Sequence, residues 1–447
     1  MTVDKNGIPK PGKLNYDDLV KAFTRDHNYR SFVVGDGWNG SFFWVYKNNV
    51  WKRIFDAEAE SWVDKITKGK INSAEVTEFI RTARRRNQIP HDFFHESSLN
   101  YKQFKNCVLD MRNRKVITPS PELGICVEIP HSYDELAECP TWDRFLNDVC
   151  LGDEDKIRTL NEFVGYTLFS NSNWIAKALI LVGSGANGKS VFTEVVEALV
   201  GEGNFAAIPM ERLHEPYSVA ALENKLLNSC KEVSYRALRD TSTFKDMVAG
   251  ATMTGRNVYE KERAYKIRAK FILSCNEIPP AYDLSVGFGR RPLVVNFDAE
   301  FTPDSPNFDP FIKDKILKEI PGIFNRALKS YETLQERGSF LENGVLIEEK
   351  KKFMQGTNCV TEFVDRYLEA ATEEEYVSSS TILAMAKQFS AMENIDARAF
   401  NAKRLAFEIK RRFKKESLVI KRNKKVFRAY RGVKVKDEID IDTTEMY

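Results

Sequence analysis

Apolar residues follow several rhythms along this chain, and each predicts a different element. Continuous apolar runs mark buried strands: Ala178–Val182 is the clearest, Lys270–Asn276 and Leu293–Phe297 repeat it, and Lys225–Val233 is weaker. Helical spacing appears from Ser132 through Leu146, again over Ile157–Phe169, and over Ser190–Val200, where Gly201 stops it. Near the N-terminus, Phe32–Val34, Phe42–Tyr46 and Val50–Ile54 read as strands, with Asn48 and Asn49 as a hairpin turn. Near the C-terminus, Val360–Ala370, Ser379–Gln388 and Ala399–Phe413 read as helices, and Leu418–Tyr430 as a hairpin turning near Asn423.

These patterns divide the chain into a mixed α+β body over residues 1–130, a helical connector over 131–175 and an α/β motor over 176–335. A solvated hinge or helix extension over 336–358 leads to a small basic domain over 359–436 and an acidic tail over 437–447. Three helices and a hairpin in the basic domain predict a winged helix. Trp38, Trp44 and Trp51 could stack bases, but strand aromatics at this spacing favour a core.

The strand at 178–182 runs straight into Gly183, Ser184, Gly185, Ala186, Asn187, Gly188, Lys189 and Ser190, the spacing G-x-x-x-x-G-K-S, with Val191 continuing into the helix. Small residues here let backbone amides close around phosphate oxygens; Lys189 reaches the β and γ phosphates and the Ser190 hydroxyl binds Mg2+. Strand before and helix after are the context this P-loop requires. A hydrolase also needs an acid, an oriented water and positive charge at the γ phosphate. Glu232, at the end of the weaker strand, can orient water or hold the metal. Asn276, delivered by a strong strand to the carboxyl edge of the sheet, reads as a γ-phosphate sensor. Arg290 and Arg291 precede the last strand; Arg290 is favoured as an arginine finger supplied to a neighbouring subunit, with Asp283 or Asp298 as the alternative, structural partners.

Residues 256–268 form a charged hairpin pattern whose tip carries Lys261, Glu262 and Arg263, with Lys266 following. In a ring such a hairpin grips single-strand phosphates. Arg411, Lys414, Lys421 and Lys424 in the basic domain are candidate phosphate contacts.

The order of parts from about Asn106 to Arg326 resembles the superfamily 3 helicases of phages, plasmids and poxviruses, in the primase-associated group. The segments that carry the resemblance are Asn106–Met111, Ala137–Leu146, Glu162–Leu168, the loop Gly183–Ser190, Cys275–Pro279, Gly289–Arg291 and Pro321–Leu328. The resemblance implies a hexameric, AAA+-like ATPase that encircles one DNA strand and moves 3′ to 5′, using ATP and Mg2+. It assigns Lys189 and Ser190 to nucleotide and metal, Glu232 to the Walker B acid, Asn276 to the sensor and Arg290 to the finger. Relatives often carry an N-terminal primase. No D-x-D type metal site occurs in residues 1–105, so a primase or polymerase is expected as a partner, or as part of a longer protein.

The net charge of +3 is small, so the basic surface is local, and the seven cysteines are odd in number, without a C-x-x-C pair. With no membrane-length apolar run and no signal-peptide pattern at the N-terminus, a cytoplasmic protein acting on single-stranded and forked DNA is expected. An origin-binding initiator or helicase loader with little unwinding of its own is the alternative. A small-molecule P-loop kinase fits less well, because the arginine pair and charged hairpin suit a ring.

Overall fold

The computed structural model describes residues 15–32, 42–89, 93–96, 100–231, 242–257, 262–276, 286–356, 359–393, 397, 400–422 and 425–436. Glu232, Lys261, Lys424, Trp38, Asp283, the turn at Asn423 and the tail from 437 lie outside these residues.

The N-terminal body holds α1 (Tyr16–His27), β1 (Tyr29–Phe32), β2 (Phe42–Lys47), β3 (Val50–Ile54), α2 (Asp56–Thr67), α3 (Ser73–Arg85) and α4 (Phe93–Glu96). β1, β2 and β3 form an antiparallel sheet. Asn48 and Asn49 turn the hairpin with φ of 55° and 66°, the left-handed region that asparagine tolerates. Trp44 and Trp51 are buried, and the Trp51 indole donates to the Pro121 carbonyl at 2.7 Å, so both serve the core and present no face to a base.

A second sheet follows, β4 (Tyr101–Phe104), β5 (Val108–Asp110), β6 (Lys115–Ile117) and β7 (Glu128–Ile129), in the order β6-β5-β4-β7. Its inward residues Phe104, Leu109 and Ile129 share one core with α5 (Pro140–Val149) and α6 (Glu154–Phe169). The division expected at residue 130 therefore cuts through a core: strands this short bury their apolar face only against the helices that follow.

The stretch expected as the motor contains β8 (Ala178–Val182), α7 (Lys189–Val200), β9 (Phe205–Ala206), α8 (Pro216–Ala221), β10 (Leu227–Cys230), α9 (Ser242–Val248), β11 (Thr252–Gly255), β12 (Arg263–Lys266), β13 (Lys270–Cys275), α10 (Val286–Gly289) and β14 (Pro292–Asn296). Five of its strands form a parallel sheet, β14-β8-β13-β10-β9; β11 and β12 pair antiparallel as a separate hairpin. Alternation along β8 sends Leu179 and Leu181 into the core under α7, and Ala178, Ile180 and Val182 into the core under α8 and α9. Covered on both faces, the strand has no polar position, which is why it reads as a continuous apolar run.

α11 (Ile312–Leu317), α12 (Ile320–Arg337) and α13 (Gly344–Gly356) complete this layer. α12 lies against α6 and the 138–139 backbone closely enough that only glycine fits at two points. A Cβ at Gly165 would meet the Ala327 carbonyl at 2.3 Å, and one at Gly322 the Glu138 carbonyl at 2.1 Å. The stretch 336–358, expected as a solvated hinge or helix extension, contains the docked helix α13. Its Leu346 and Phe353 are buried in the two motor cores, and Glu349 accepts from the buried Lys156 ammonium at 2.6 Å and from the Asn296 amide at 2.9 Å. Of the E-E-K-K-K charges that suggested a hinge, Glu348, Lys351 and Lys352 lie on the outer face of an amphipathic helix, while Glu349 points into the fold.

The C-terminal body has its own core, centred on Phe363, Tyr367, Phe389, Phe400 and Ile409. It contains α14 (Cys359–Tyr367), β15 (Leu368–Ala370), β16 (Tyr376–Ser378), α15 (Ser379–Met392), α16 (Ala402–Phe413), β17 (Leu418–Arg422), β18 (Lys425–Arg431) and β19 (Val433–Val435). The helix expected through Ala370 stops at Tyr367, because Leu368–Ala370 pairs with Val433–Val435. Among the described residues all seven cysteines are free thiols, and no helix is long and apolar enough to cross a membrane.

Lys156→Met should lower stability by about 3–5 kcal/mol, because it strands the Glu349 carboxylate in the core. Urea unfolding checks this, and Lys156→Met with Glu349→Leu should recover most of the loss.

Candidate functional site

Position follows from the sheet. β8 sits between β13 and β14, with Leu181 opposite Ser274 and Val182 opposite Cys275, so the chain leaves β8 at the carboxyl edge beside the end of β13. The Gly183 amide donates to the Cys275 carbonyl at 3.2 Å and the Phe297 amide to the Val182 carbonyl at 2.8 Å, fixing both sides of the exit.

The loop from 183 to 188 then turns back over the start of α7. Gly185 has a φ of 121° and Gly188 a φ of 88°. A Cβ at Gly183 would strike the Asn187 amide nitrogen at 2.1 Å, and one at Gly188 would strike Val149 at 2.7 Å. Since α7 begins at Lys189, the amides of Lys189, Ser190 and Val191 have no acceptor within the helix and the helix dipole adds positive potential there. Lys189 is buried; its ammonium donates to the Gly183 carbonyl and to Asn187 Oδ1, the latter at 3.0 Å. Burial holds its pKa below the ordinary lysine value.

Over this loop lies a cleft of 790 Å³, lined by residues 185–191 and by Arg144, Asp148, Ser274, Asn276, Phe308 and Lys313 among others. The segment after β14 forms its far wall, pinned where the Phe301 amide donates to the Ala186 carbonyl at 2.7 Å. Two polar atoms at the cleft are buried without a hydrogen-bond partner among the described residues: Asn187 Nδ2 and Ser274 Oγ. Both groups can donate, and a buried donor left unpaired is costly. Deeper along α7, Glu194 accepts from Lys313 at 2.9 Å and pairs with Lys231 at 3.6 Å, while Lys231 reaches Glu197 at 3.1 Å. The Lys313 hydrogen bond holds the Glu194 carboxyl below its usual range. The arrangement offers a glycine-walled cradle of donors, a lysine and hydroxyls at one edge, which fits a polyphosphate.

Of the expected site residues, 185–191 and Asn276 line this cleft, Gly183 and Ser184 lead into it from β8, and Ser190 is exposed at the head of α7. Ser274 was missed, although its place two residues before Asn276 on a strand puts both on one face. Arg144, Asp148, Phe308 and Lys313 come from other parts of the chain and carried no sequence signal. Arg290 is exposed, directly ahead of β14 at the amino-terminal edge of the sheet. The five residues of β8 separate that edge from the loop, a span of roughly 16 Å. Arg291, expected beside Arg290 as catalytic, is instead buried: Nε donates to the Lys245 carbonyl at 2.9 Å, Nη1 donates to the Gly287 carbonyl, and its own carbonyl accepts from Ala178 at 3.0 Å. Its role is to tie α9 and α10 to the sheet.

Two expected DNA contacts are likewise committed elsewhere. The Arg263 guanidinium pairs with Glu223 at 2.6 Å and lies 4.1 Å from the Tyr265 ring centroid. That of Arg411 grips the buried Glu408 carboxylate, which also accepts from Thr361 at 3.0 Å. Lys266, Lys414 and Lys421 are exposed.

Comparison with known proteins adds to this geometry. Residues 20–151 match the family described as D5 N terminal like, and residues 181–291 match a family of unknown function, DUF5906. The chain is 28% identical over 147 residues to a candidate helicase, L207/L206, of Acanthamoeba polyphaga mimivirus, a match covering 31% of this chain and 15% of that protein. It is 27% identical over 134 residues to the uncharacterized mitochondrial protein ymf21 of Marchantia polymorpha, covering 27% of this chain and 74% of that protein. The apo structure of the NrS-1 C terminal region superposes with a TM-score of 0.53 at 14% identity, covering 94% of this chain and 100% of that one; its A form gives 0.52, covering 93% and 98%. The fold is therefore shared over nearly the whole described chain.

The two adjacent arginines should separate in a stability assay. Arg291→Ala removes the buried guanidinium and its bonds to the Lys245 and Gly287 carbonyls, the first of which keeps the Ala249 amide at 3.1 Å, and should cost about 1–3 kcal/mol, whereas Arg290→Ala should stay within about 0.5 kcal/mol of the parent. Equal urea midpoints for the two variants would contradict this assignment.

Proposed function

We propose that this protein is an ATP-driven replicative DNA helicase of a phage or mobile element, with a superfamily 3, AAA+-like motor and a C-terminal winged helix, working as a hexameric ring that moves 3′ to 5′. The observation that carries the reading is the separation of two sets of groups on one parallel sheet. Lys189, Ser190, Ser274 and Asn276 converge at its carboxyl edge, while Arg290 stands exposed roughly 16 Å away at the other. An arginine so placed is useless to its own loop and available to a neighbour's.

In this reading the 183–191 amides and Lys189 hold the triphosphate of ATP, Ser190 and Glu232 hold Mg2+, and Asn276 and Ser274 face the γ phosphate. The unpartnered Ser274 hydroxyl and Asn187 amide fit such a ligand. Mg2+ supplies charge neutralisation at the phosphate oxygens. Arg290 of an adjacent copy supplies the positive charge that a loose phosphoryl-transfer transition state needs. Lys261 and Lys266 of the β11–β12 hairpin, and Lys414, Lys421 and Lys424 of the winged helix, contact DNA phosphates. The D5-like segment, the mimivirus relative and the NrS-1 fold support the replication setting, with a primase or polymerase as partner and the cytoplasm as its place.

One observation favours the second reading, an origin-binding initiator or helicase loader. Arg263, expected to grip the strand, is already paired with Glu223, so it is not available to a strand's phosphates.

Displacement of a labelled strand from a 3′-tailed fork, with ATP and Mg2+, separates the two. The parent protein should open the 3′-tailed fork and not the 5′-tailed one, and Lys189→Ala should open neither. ATP hydrolysis without opening of either fork would favour the initiator. Arg290→Ala subunits mixed into parent protein should depress hydrolysis below the arithmetic average of the two, since each poisons a neighbour's site; a simple average would remove the finger from Arg290.

A further inference from the structure

α16 buries one face and holds a phenylalanine on the other. It starts where Asn401 Oδ1 accepts from the Arg404 amide at 3.0 Å and ends at Lys414, whose φ of 59° breaks the helix. Leu405, Glu408 and Ile409 are buried and fix which side meets the body's core. On the opposite side Phe407 is 69% exposed and lies outside that core. A helical side chain has its lateral neighbours at i−4, i−3, i+3 and i+4. For Phe407 these are Lys403, Arg404, Lys410 and Arg411, so the ring is surrounded by exposed cationic residues, and Lys414 continues the stripe.

The one acid of α16, Glu408, is buried and taken up by Arg411 and Thr361. Lys410 pairs with Glu416, but both groups are mostly exposed, and such a pair yields readily. Lys403 and Lys414 have no carboxylate partner among the described residues. β17 follows after residues 414–417, and across the β17–β18 hairpin Val419 stands opposite Arg428 and Lys421 opposite Val426, all four exposed. Helix and hairpin alike thus set apolar groups among cations on their outer faces.

A cationic face alone marks only a solvated helix; an apolar ring at its centre fits a partner that offers both anions and an apolar spot. A bilayer takes up the apolar face of a helix, and that of α16 is already in the core. A single strand is held in a charged groove, whereas the exposed arc of a helix is convex. The major groove of duplex DNA, about 12 Å wide, admits a helix, is walled by phosphates and carries thymine methyls on its floor. We propose that α16 reads duplex DNA from the major groove, with Lys403, Lys410 and Lys414 on phosphates and the Phe407 ring against thymine methyls, so that the chain prefers particular T·A-containing sites. The inference rests on the winged-helix part of the function proposed above, adds base recognition to its phosphate contacts, and does not depend on the motor.

The test uses the full chain without ATP. Repeated binding to a randomised duplex pool should enrich a site, and replacing its thymines one at a time by deoxyuridine removes only the methyl group. At one or more of these positions the replacement should weaken binding about fourfold. Phe407→Ala should bind the thymine and deoxyuridine duplexes equally while keeping its affinity for unrelated duplex. Lys403→Ala with Lys414→Ala should weaken all duplexes alike and flatten the salt dependence. The changed residues are exposed, so the fold should survive each substitution. The absence of an enriched site, of a deoxyuridine effect at every thymine, or of any loss of that effect in Phe407→Ala overturns the proposal. Phe407-dependent binding to single strands, or to vesicles of anionic phospholipid, with no duplex site overturns it as well. A protein that selects a site but opens no fork keeps this inference and loses the helicase reading; fork opening without a selected site does the reverse.

Discussion

Everything at the candidate site depends on β8 being held on both sides. Its five residues are buried, and its backbone pairs in parallel with β13 on one flank and β14 on the other. A strand fixed in that way delivers its next residue to a defined point, and the loop at 183–188 starts there. The two neighbours also end at the same edge, so Ser274 and Asn276 from β13 and the 297–301 segment after β14 reach the loop without long excursions of the chain. Loosening the sheet would move the cradle, the hydroxyl and the far wall independently. This is the ordinary logic of an open parallel sheet, whose ligands gather at the carboxyl ends where the strand order reverses.

Much of this was legible in the sequence, for physical reasons that can be located. β8 and β13 are covered on both faces, so they are largely apolar and stand out; glycine is required at 183 by the Phe297 carbonyl, 2.8 Å from a Cβ there, and at 188 by a φ of 88° and Val149 at 2.7 Å, so the two sit at fixed spacing. The docked helix α13 was not legible as packed. Its outer face carries the lysine run, and its buried anchors, Leu346, Glu349 and Phe353, find partners almost two hundred residues away in Lys156 or across both motor cores. The boundary at 130 failed similarly, because nothing local says that Phe104 and Leu109 will share a core with α6. Arg290 and Arg291 are the sharpest example: adjacent and chemically identical, they face opposite fates because one is exposed and the other supplies donors to the Lys245 and Gly287 carbonyls.

Counting basic residues is consequently a poor guide to the nucleic-acid surface. Arg411 belongs to the strongest basic run in the chain, yet its guanidinium is committed to buried Glu408, and Arg263 is committed to Glu223. A carboxylate at hydrogen-bond distance satisfies the fork-shaped guanidinium and removes its field. Lys266, Lys414 and Lys421 keep exposed ammoniums, and Arg256, Arg428 and Arg431 are exposed as well. A lysine contact is a mobile point charge with no fixed geometry, suited to holding a backbone while it moves and poorly suited to reading sequence.

The two edges of the motor sheet then bear on assembly. On the function proposed above, a triphosphate at this cleft would need, besides Lys189, Asn276 and Ser274, a cation able to meet charge building on the far side of the γ phosphate. Lys313 and Lys231 approach from the cleft but are paired with Glu194 and Glu197. Arg291 is spent inside the fold. Arg290 is exposed but lies across the full length of β8, and no side chain spans roughly 16 Å. Arg144 lines the cleft itself, so one guanidinium of the same chain is at hand, and the Arg290 edge offers a second, exposed one that only another copy could bring to the cleft. Copies arranged head to tail would set that edge against the next cleft. A head-to-tail contact either closes into a ring or runs on as a filament, and enclosing a strand requires the former.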